Sequence, residues 1–135
     1  MTEELRDVSF PVGERLKSKK LIGELFTKGS SFSFYPFRFI YLTSASVPLP
    51  GKPALLISIP RKRYRRATDR NLLKRRIREA YRHHKHRLHQ KQIPIVLAII
   101  YIGKEKMPQQ DINSQMKDGL RRLTKQLPQT EDPHA

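Results

Sequence analysis

Three observations in this 135-residue sequence predict an α+β fold, a two-layer sandwich of helices on one small mixed sheet. Residues 32–43 are aromatic and β-branched and alternate with period two. Two short, almost wholly apolar runs, 54–60 and 93–102, have the length and composition of buried strands. Around them lie segments whose apolar residues recur at helical spacing. A chain of this length holds one domain with a single core.

Taken in order, residues 1–13 are polar and close on Pro11-Val12-Gly13, which reads as a flexible lead-in to a domain spanning 14–127. Ser18 is placed to cap a helix running to about Lys28, with Gly29 as a left-handed stop. Leu21, Ile22, Leu25 and Phe26 share one face of it. The 32–43 segment reads as a single strand, with Pro36 keeping its start near a sheet edge. Residues 44–53 form a loop with room for a short strand. ALLISIP (54–60) is a strand stopped by Pro60, and a helix is expected from about Asp69 to Gln90. A strand over 93–102 and a helix over 111–127 follow, the latter marked by Ile112, Met116, Leu120, Leu123 and Leu127. The tail 128–135 is polar and reads as disordered.

Charge sets the function class. The net charge is +16 and the pI about 10.6, a balance that calls for a polyanionic partner. Half of the 28 Lys and Arg residues lie in Arg61–Lys91, against two acids, Asp69 and Glu79. So dense a run cannot be buried, because each unpaired buried charge costs several kcal/mol. The absence of cysteine excludes disulfides and thiolate metal sites. No apolar leader is visible, and the ten-residue run 93–102 is too short to span a bilayer as a helix. The expectation is a soluble, cytoplasmic protein with no membrane partner and no small-molecule ligand.

On a helical wheel Arg70, Asn71, Lys74, Arg75, Arg78 and Arg82 fall within an arc of roughly 140°. Leu73, Ile77, Ala80, Tyr81 and Leu88 cluster beside that arc and would pack on the sheet. A continuous basic ridge suits phosphates, and Arg adds bidentate geometry that Lys lacks. Ordinary solvated helices mix both signs of charge, and a membrane-surface helix carries bulky aromatics; neither pattern is present here. His83, His84, His86 and His89 lack carboxylate or thiolate company and read as helix-end cations rather than metal ligands. Asp69 reads as an N-cap. No paired carboxylates, Ser-His-Asp set or phosphate-binding Gly-rich loop is found, so no residue is assigned a catalytic role and the protein alone is expected to lack hydrolytic chemistry.

The segment Arg70-Asn71-Leu72-Leu73-Lys74-Arg75-Arg76-Ile77-Arg78-Glu79-Ala80-Tyr81-Arg82 resembles the signature of the bacterial ribonuclease P protein subunit. Glu14-Arg15-Leu16-Lys17 is similar to that family's opening. Phe26-Thr27-Lys28-Gly29-Ser30 resembles its aromatic-to-Gly corner, and Ile57-Ser58-Ile59-Pro60-Arg61-Lys62-Arg63 its strand running into a basic pair. The likeness covers about 14–127. The family's Arg-Asn-Arg triplet reads Arg70-Asn71-Leu72 here, and its Gly-Asn-Ala crossover reads Arg65-Arg66-Ala67.

The resemblance implies a ribosomal-protein-like sandwich with a left-handed βαβ crossover, where general odds favour the right-handed one. It implies an accessory subunit of a tRNA 5′ endoribonuclease. The catalytic centre and its Mg2+ belong to the RNA subunit, and the protein itself binds no cofactor. The partners implied are the catalytic RNA and precursor tRNA. Lys62, Arg63, Arg65, Arg66, Arg70, Asn71, Lys74, Arg75, Arg78 and Arg82 are the expected RNA contacts. A cleft between the first helix and the sheet would hold the 5′ leader. Ile22 and Phe26 line it from the helix, and Phe37, Phe39 and Tyr41, with Arg38 nearby, are the strand-side candidates. Stacking on rings with cations along the backbone is how single-stranded RNA is held. The alternatives are a structural ribosomal RNA-binding protein, which needs no such cleft, and a DNA-compacting protein, which needs a dimer or a minor-groove arm.

Overall fold

The computed structural model describes Leu16 and residues 18–50, 53–89 and 94–127. The lead-in 1–13, the tail 128–135 and most of the segment 14–17 lie outside the described residues. The elements are α1 (Lys19–Lys28), β1 (Ser30–Phe34), β2 (Phe37–Leu42), β3 (Ala54–Ser58), α2 (Ala67–His84), α3 (His86–His89), β4 (Val96–Tyr101) and α4 (Gln109–Gln126). The sheet order is β1-β2-β4-β3. β1 and β4 each pair antiparallel to β2, and β3 pairs parallel to β4 through the α2 crossover. This is the expected α+β class with a mixed sheet.

One expected strand is two. Residues 32–43 form a hairpin, because Pro36 has no N–H to give to a ladder and instead sits with Tyr35 in the turn. Phe34 pairs with Phe37 at the closed end, and Ser30 with Tyr41 at the open end. The Pro36 carbonyl still accepts from the Ile102 N–H at 2.7 Å. The described part of 44–53 contains no strand.

The helix boundaries also move. Ser18 caps α1, its Oγ accepting from the Leu21 N–H at 3.2 Å. Gly29 is not left-handed: its φ of −72° and ψ of 157° are extended. Glycine is required there for close approach, since a Cβ would run into the Leu25 carbonyl and lie 2.8 Å from that of Tyr41. α2 begins at Ala67 with Arg66 at the N-cap, so Asp69 is not the cap. It lies in the first turn, where a carboxylate favours the positive helix end, and pairs with Lys106 at 3.0 Å. The helix stops at His84, and Leu88 enters the core from the short α3.

The pleat sorts side chains onto two sheet faces. Phe37, Phe39, Leu55, Leu97, Ile99 and Tyr101 pack against Leu73, Ile77, Ala80 and Tyr81 of α2 and Ile112, Met116, Leu120 and Leu123 of α4. The other face carries Ile40, Leu42, Ala54, Val96 and Ala98 and is covered by Leu21 and Leu25 of α1, with Leu16 beside them. Gly119 lets α4 close onto the sheet, because a Cβ there would lie 2.7 Å from the Phe39 ring.

Candidate RNA interface

The basic loop 61–66 is the turn between β3 and α2, and Tyr64 anchors it. Its ring is buried against Tyr101, and its hydroxyl donates to the Gly103 carbonyl at 2.9 Å. Burial pushes the Tyr64 phenol up to about 12, so it stays a donor. With the tyrosine held inward, Arg61, Lys62, Arg63, Arg65 and Arg66 all face solvent.

Arg70 has a second task that the wheel does not reveal. Its guanidinium donates from Nη1 to the carbonyls of Tyr64 and Arg65, each at 2.9 Å, tying the loop to the first turn of α2. Further along, Asn71 and Arg75 are exposed, while Lys74, Arg78 and Arg82 are partly covered. Arg82 is engaged with Glu79 at 2.7 Å, and His83 meets the same carboxylate at 2.8 Å. The Arg82 hydrogen bond, helped by His83, holds Glu79 below the usual carboxylate range. Arg76 points elsewhere: it donates to the Met107 carbonyl at 2.6 Å, bracing the loop before α4. Leu73 and Ile77 are fully buried, so the helix separates a packed stripe from a cationic one as the periodicity predicts.

The second candidate surface lies beside α1. Ile22 is half-buried against the core beneath α1, and Phe26 in its last turn is 47% exposed. The sheet residues on this face are Arg38, Ile40 and Leu42, with Ser31 and Ser33 paired beside them. Arg38 is exposed, and its Nη2 donates to Ser31 Oγ at 3.3 Å.

Three strand-side expectations are corrected here. Phe37 and Phe39 are fully buried, and Tyr41 is half-buried, on the opposite face from Ile22 and Phe26. Period-two alternation makes this an either-or choice, and the set containing Ile40 and Leu42 is the one that meets α1. Phe39 stacks on Phe32 at 5.1 Å and sits edge-on to Phe37 at 5.8 Å, while the Tyr41 hydroxyl donates to Gln126 of α4 at 3.2 Å. Of the strand candidates only Arg38 shares a face with Ile22 and Phe26. Ser31, Ser33 and Ile40 are its neighbours on that face. None of them is aromatic, and the pleat groups them with Arg38.

Among the described residues no group of three or more His, Cys, Asp or Glu side chains is placed to hold a metal ion, and no helix is long and apolar enough to cross a membrane.

Comparison with known proteins agrees across most of the chain. A family model for ribonuclease P matches residues 10–125. The ribonuclease P protein component of Porphyromonas gingivalis is 33% identical over 119 residues, 85% of this chain and 86% of that protein. That of Idiomarina loihiensis is 38% identical over 77 residues, 57% of this chain and 56% of its own length. In fold, the RNase P protein from Thermotoga maritima superposes with a TM-score of 0.63 at 23% identity, over 85% of this chain and 98% of that one. The Staphylococcus aureus RNase P protein gives 0.63 at 20% identity, over 82% and 94%.

Proposed function

The chain belongs to the ribonuclease P protein family, and from that premise we propose that it binds the RNA subunit of ribonuclease P and the 5′ leader of precursor tRNA. It thereby assists removal of the leader to make the mature tRNA 5′ end. The ribosomal alternative is not favoured. The observation that carries the RNA-binding reading is the arrangement of the basic segment. The loop 61–66 and the outer side of α2 present cations outward while their partners Tyr64, Leu73 and Ile77 are buried. Phosphates neutralise such a surface, and each contact releases counterions. Arg70, fixed to the loop backbone, sets the register between the loop cations and those of the helix.

In this reading hydrolysis is the task of the RNA subunit, and the magnesium is the RNA's own. The protein supplies position. Lys62, Arg63, Arg65, Arg66, Asn71, Lys74, Arg75, Arg78 and Arg82 contact RNA backbone, with Arg70 holding the loop among them. Ile22, Phe26 and Arg38, on the other sheet face, contact the single-stranded leader, and the cytoplasm is the working compartment. Reconstitution tests this. Protein plus a bacterial ribonuclease P RNA should cleave precursor tRNA at a magnesium concentration where the RNA alone is slow, and the protein alone should not cleave. Site-specific cleavage by RNA-free protein would overturn the proposal.

A further inference from the structure

Two large apolar side chains stand exposed among the described residues, Phe26 at 47% and Tyr35 at 55%. Phe26 belongs to the candidate leader surface beside α1. Tyr35 lies at the far end of β1, in the hairpin turn, and has no part in that surface.

The Tyr35 ring is not a loose surface side chain. Its hydroxyl accepts from the Lys104 N–H at 3.3 Å, and its carbonyl accepts from Gln115 Nε2 at 2.6 Å. Both ends of the residue are thus held, and the ring is fixed while more than half of it meets water. The N–H bonded to the ring's hydroxyl belongs to a lysine. The exposed Lys104 follows Gly103, whose carbonyl takes the Tyr64 hydroxyl of the basic loop. Arg63 next to Tyr64 is near enough to oppose the rise in that phenol's pKa, and Tyr35 is near enough to add to it. In sequence Glu105 stands between Lys104 and Lys106, and Lys106 is engaged with Asp69 at 3.0 Å. A fixed, exposed ring near basic residues is the arrangement that stacks unpaired bases while the backbone follows the charge. Because the ring is already immobilised, little side-chain entropy remains to be lost on stacking.

We propose that Tyr35 is a nucleobase-stacking platform, a second aromatic contact for an unpaired base of bound RNA, distinct from Phe26 and served by Lys104 and the 61–66 loop. The proposal rests on the RNA-binding reading above. The base belongs either to precursor tRNA or to the RNA subunit, and the two are separated by adding each alone.

The chain has no tryptophan, so Tyr35→Trp installs a single tryptophan at the platform, excited selectively over the remaining tyrosines at the red edge of the absorption band. Its emission should be quenched by precursor tRNA or by the RNA subunit, and whichever RNA quenches supplies the base. In parallel, Tyr35→Ala should weaken binding of that RNA about fivefold to a hundredfold, the range that stacking on one ring spans. Tyr35→Phe should retain most of the affinity, because it keeps the ring and gives up only the acceptor for Lys104. If Tyr35→Phe loses as much as Tyr35→Ala, the hydroxyl matters through the 103–107 loop and the stacking role is wrong. The role is equally wrong if the tryptophan is quenched by neither RNA and Tyr35→Ala binds as the parent does. A parent protein that binds neither RNA overturns the functional reading itself, a result distinct from both.

Discussion

Arg70 donates two hydrogen bonds of 2.9 Å, to the carbonyls of Tyr64 and Arg65, and so fastens the most basic loop of the molecule to the helix that follows it. A residue expected to touch RNA is therefore also a strut. Arg70 is partly covered and Arg75 is exposed, so their replacements should behave differently. Hydrogen bonds from a charged donor contribute roughly 1.5–3 kcal/mol, whereas an exposed substitution usually stays within about 0.5 kcal/mol. Arg70→Ala should lower the unfolding free energy by about 1–3 kcal/mol and weaken RNA binding as the loop loosens. Arg75→Ala should leave stability unchanged, weaken RNA binding and reduce the salt slope by about one unit. Urea titrations and binding isotherms at several salt concentrations, run on both variants, check this. Equal stability for the two would remove the strut.

Glycine replacements give a test of packing with opposite signs. A Cβ on Gly119 would press on the Phe39 ring at 2.7 Å, and Phe39 is itself locked against Phe32 and Phe37. Gly119→Ala should destabilise by about 1–3 kcal/mol through overpacking. Gly23, exposed in the middle of α1, has nothing within 4 Å of a Cβ. Gly23→Ala should stabilise by roughly 0.5–1 kcal/mol, by helix propensity alone. Thermal melts of the two single variants decide the matter, and a stable Gly119→Ala would mean that α4 is less tightly seated than the distance indicates.

His84, the last residue of α2, sets a pH dependence. Burial holds His84 below its ordinary value, and the nearby His83, Arg87, Lys117 of α4 and His86 push the same way. A depressed folded pKa means that the fold favours neutral imidazole. The associated stability is present above the unfolded value of about 6.5 and is lost as pH falls through the folded one. Melting temperature should therefore drop as pH falls below about 6.5, and His84→Gln should flatten the drop. The neighbouring Glu79 also has a lowered pKa, but its loss begins only in the carboxylate range, so the two are separable in a melting series taken down to about pH 3.

Most of the fold was legible because it depends on periodicity. The buried stripe Leu73, Ile77, Ala80 and Tyr81 and the repeat on α4 follow from spacing alone, and the structure keeps both. What spacing could not decide was whether 32–43 is one strand or two. The composition is continuous through Pro36, and only the pairing of Phe34 with Phe37 distinguishes a hairpin. The same ambiguity misassigned Phe37 and Phe39. Period two separates two sets of side chains but does not say which set meets α1, and that is settled by Leu21 and Leu25 packing on Ile40 and Leu42. The strut role of Arg70 was hidden for another reason. It depends on backbone carbonyls, which no side-chain pattern records.

The reassignment of those rings gives the sharpest test of the leader reading. Phe39 is fully buried between β1, β4 and α4, whereas Phe26 stands half-exposed on the other sheet face. Phe39→Ala should cost about 3–5 kcal/mol of stability, as large-to-small core changes do, and whatever binding it loses should be lost for every RNA alike. Phe26→Ala removes little buried surface and should leave stability nearly unchanged. If the ring stacks on the leader, it should weaken precursor tRNA by about 1–3 kcal/mol and leave mature tRNA untouched, since only the precursor carries a leader. Affinities of both variants for both tRNAs, in the reconstituted complex and beside their melting curves, separate packing from contact. Equal losses for precursor and mature tRNA on Phe26→Ala, in a protein that melts normally, would take the leader off this face of the sheet.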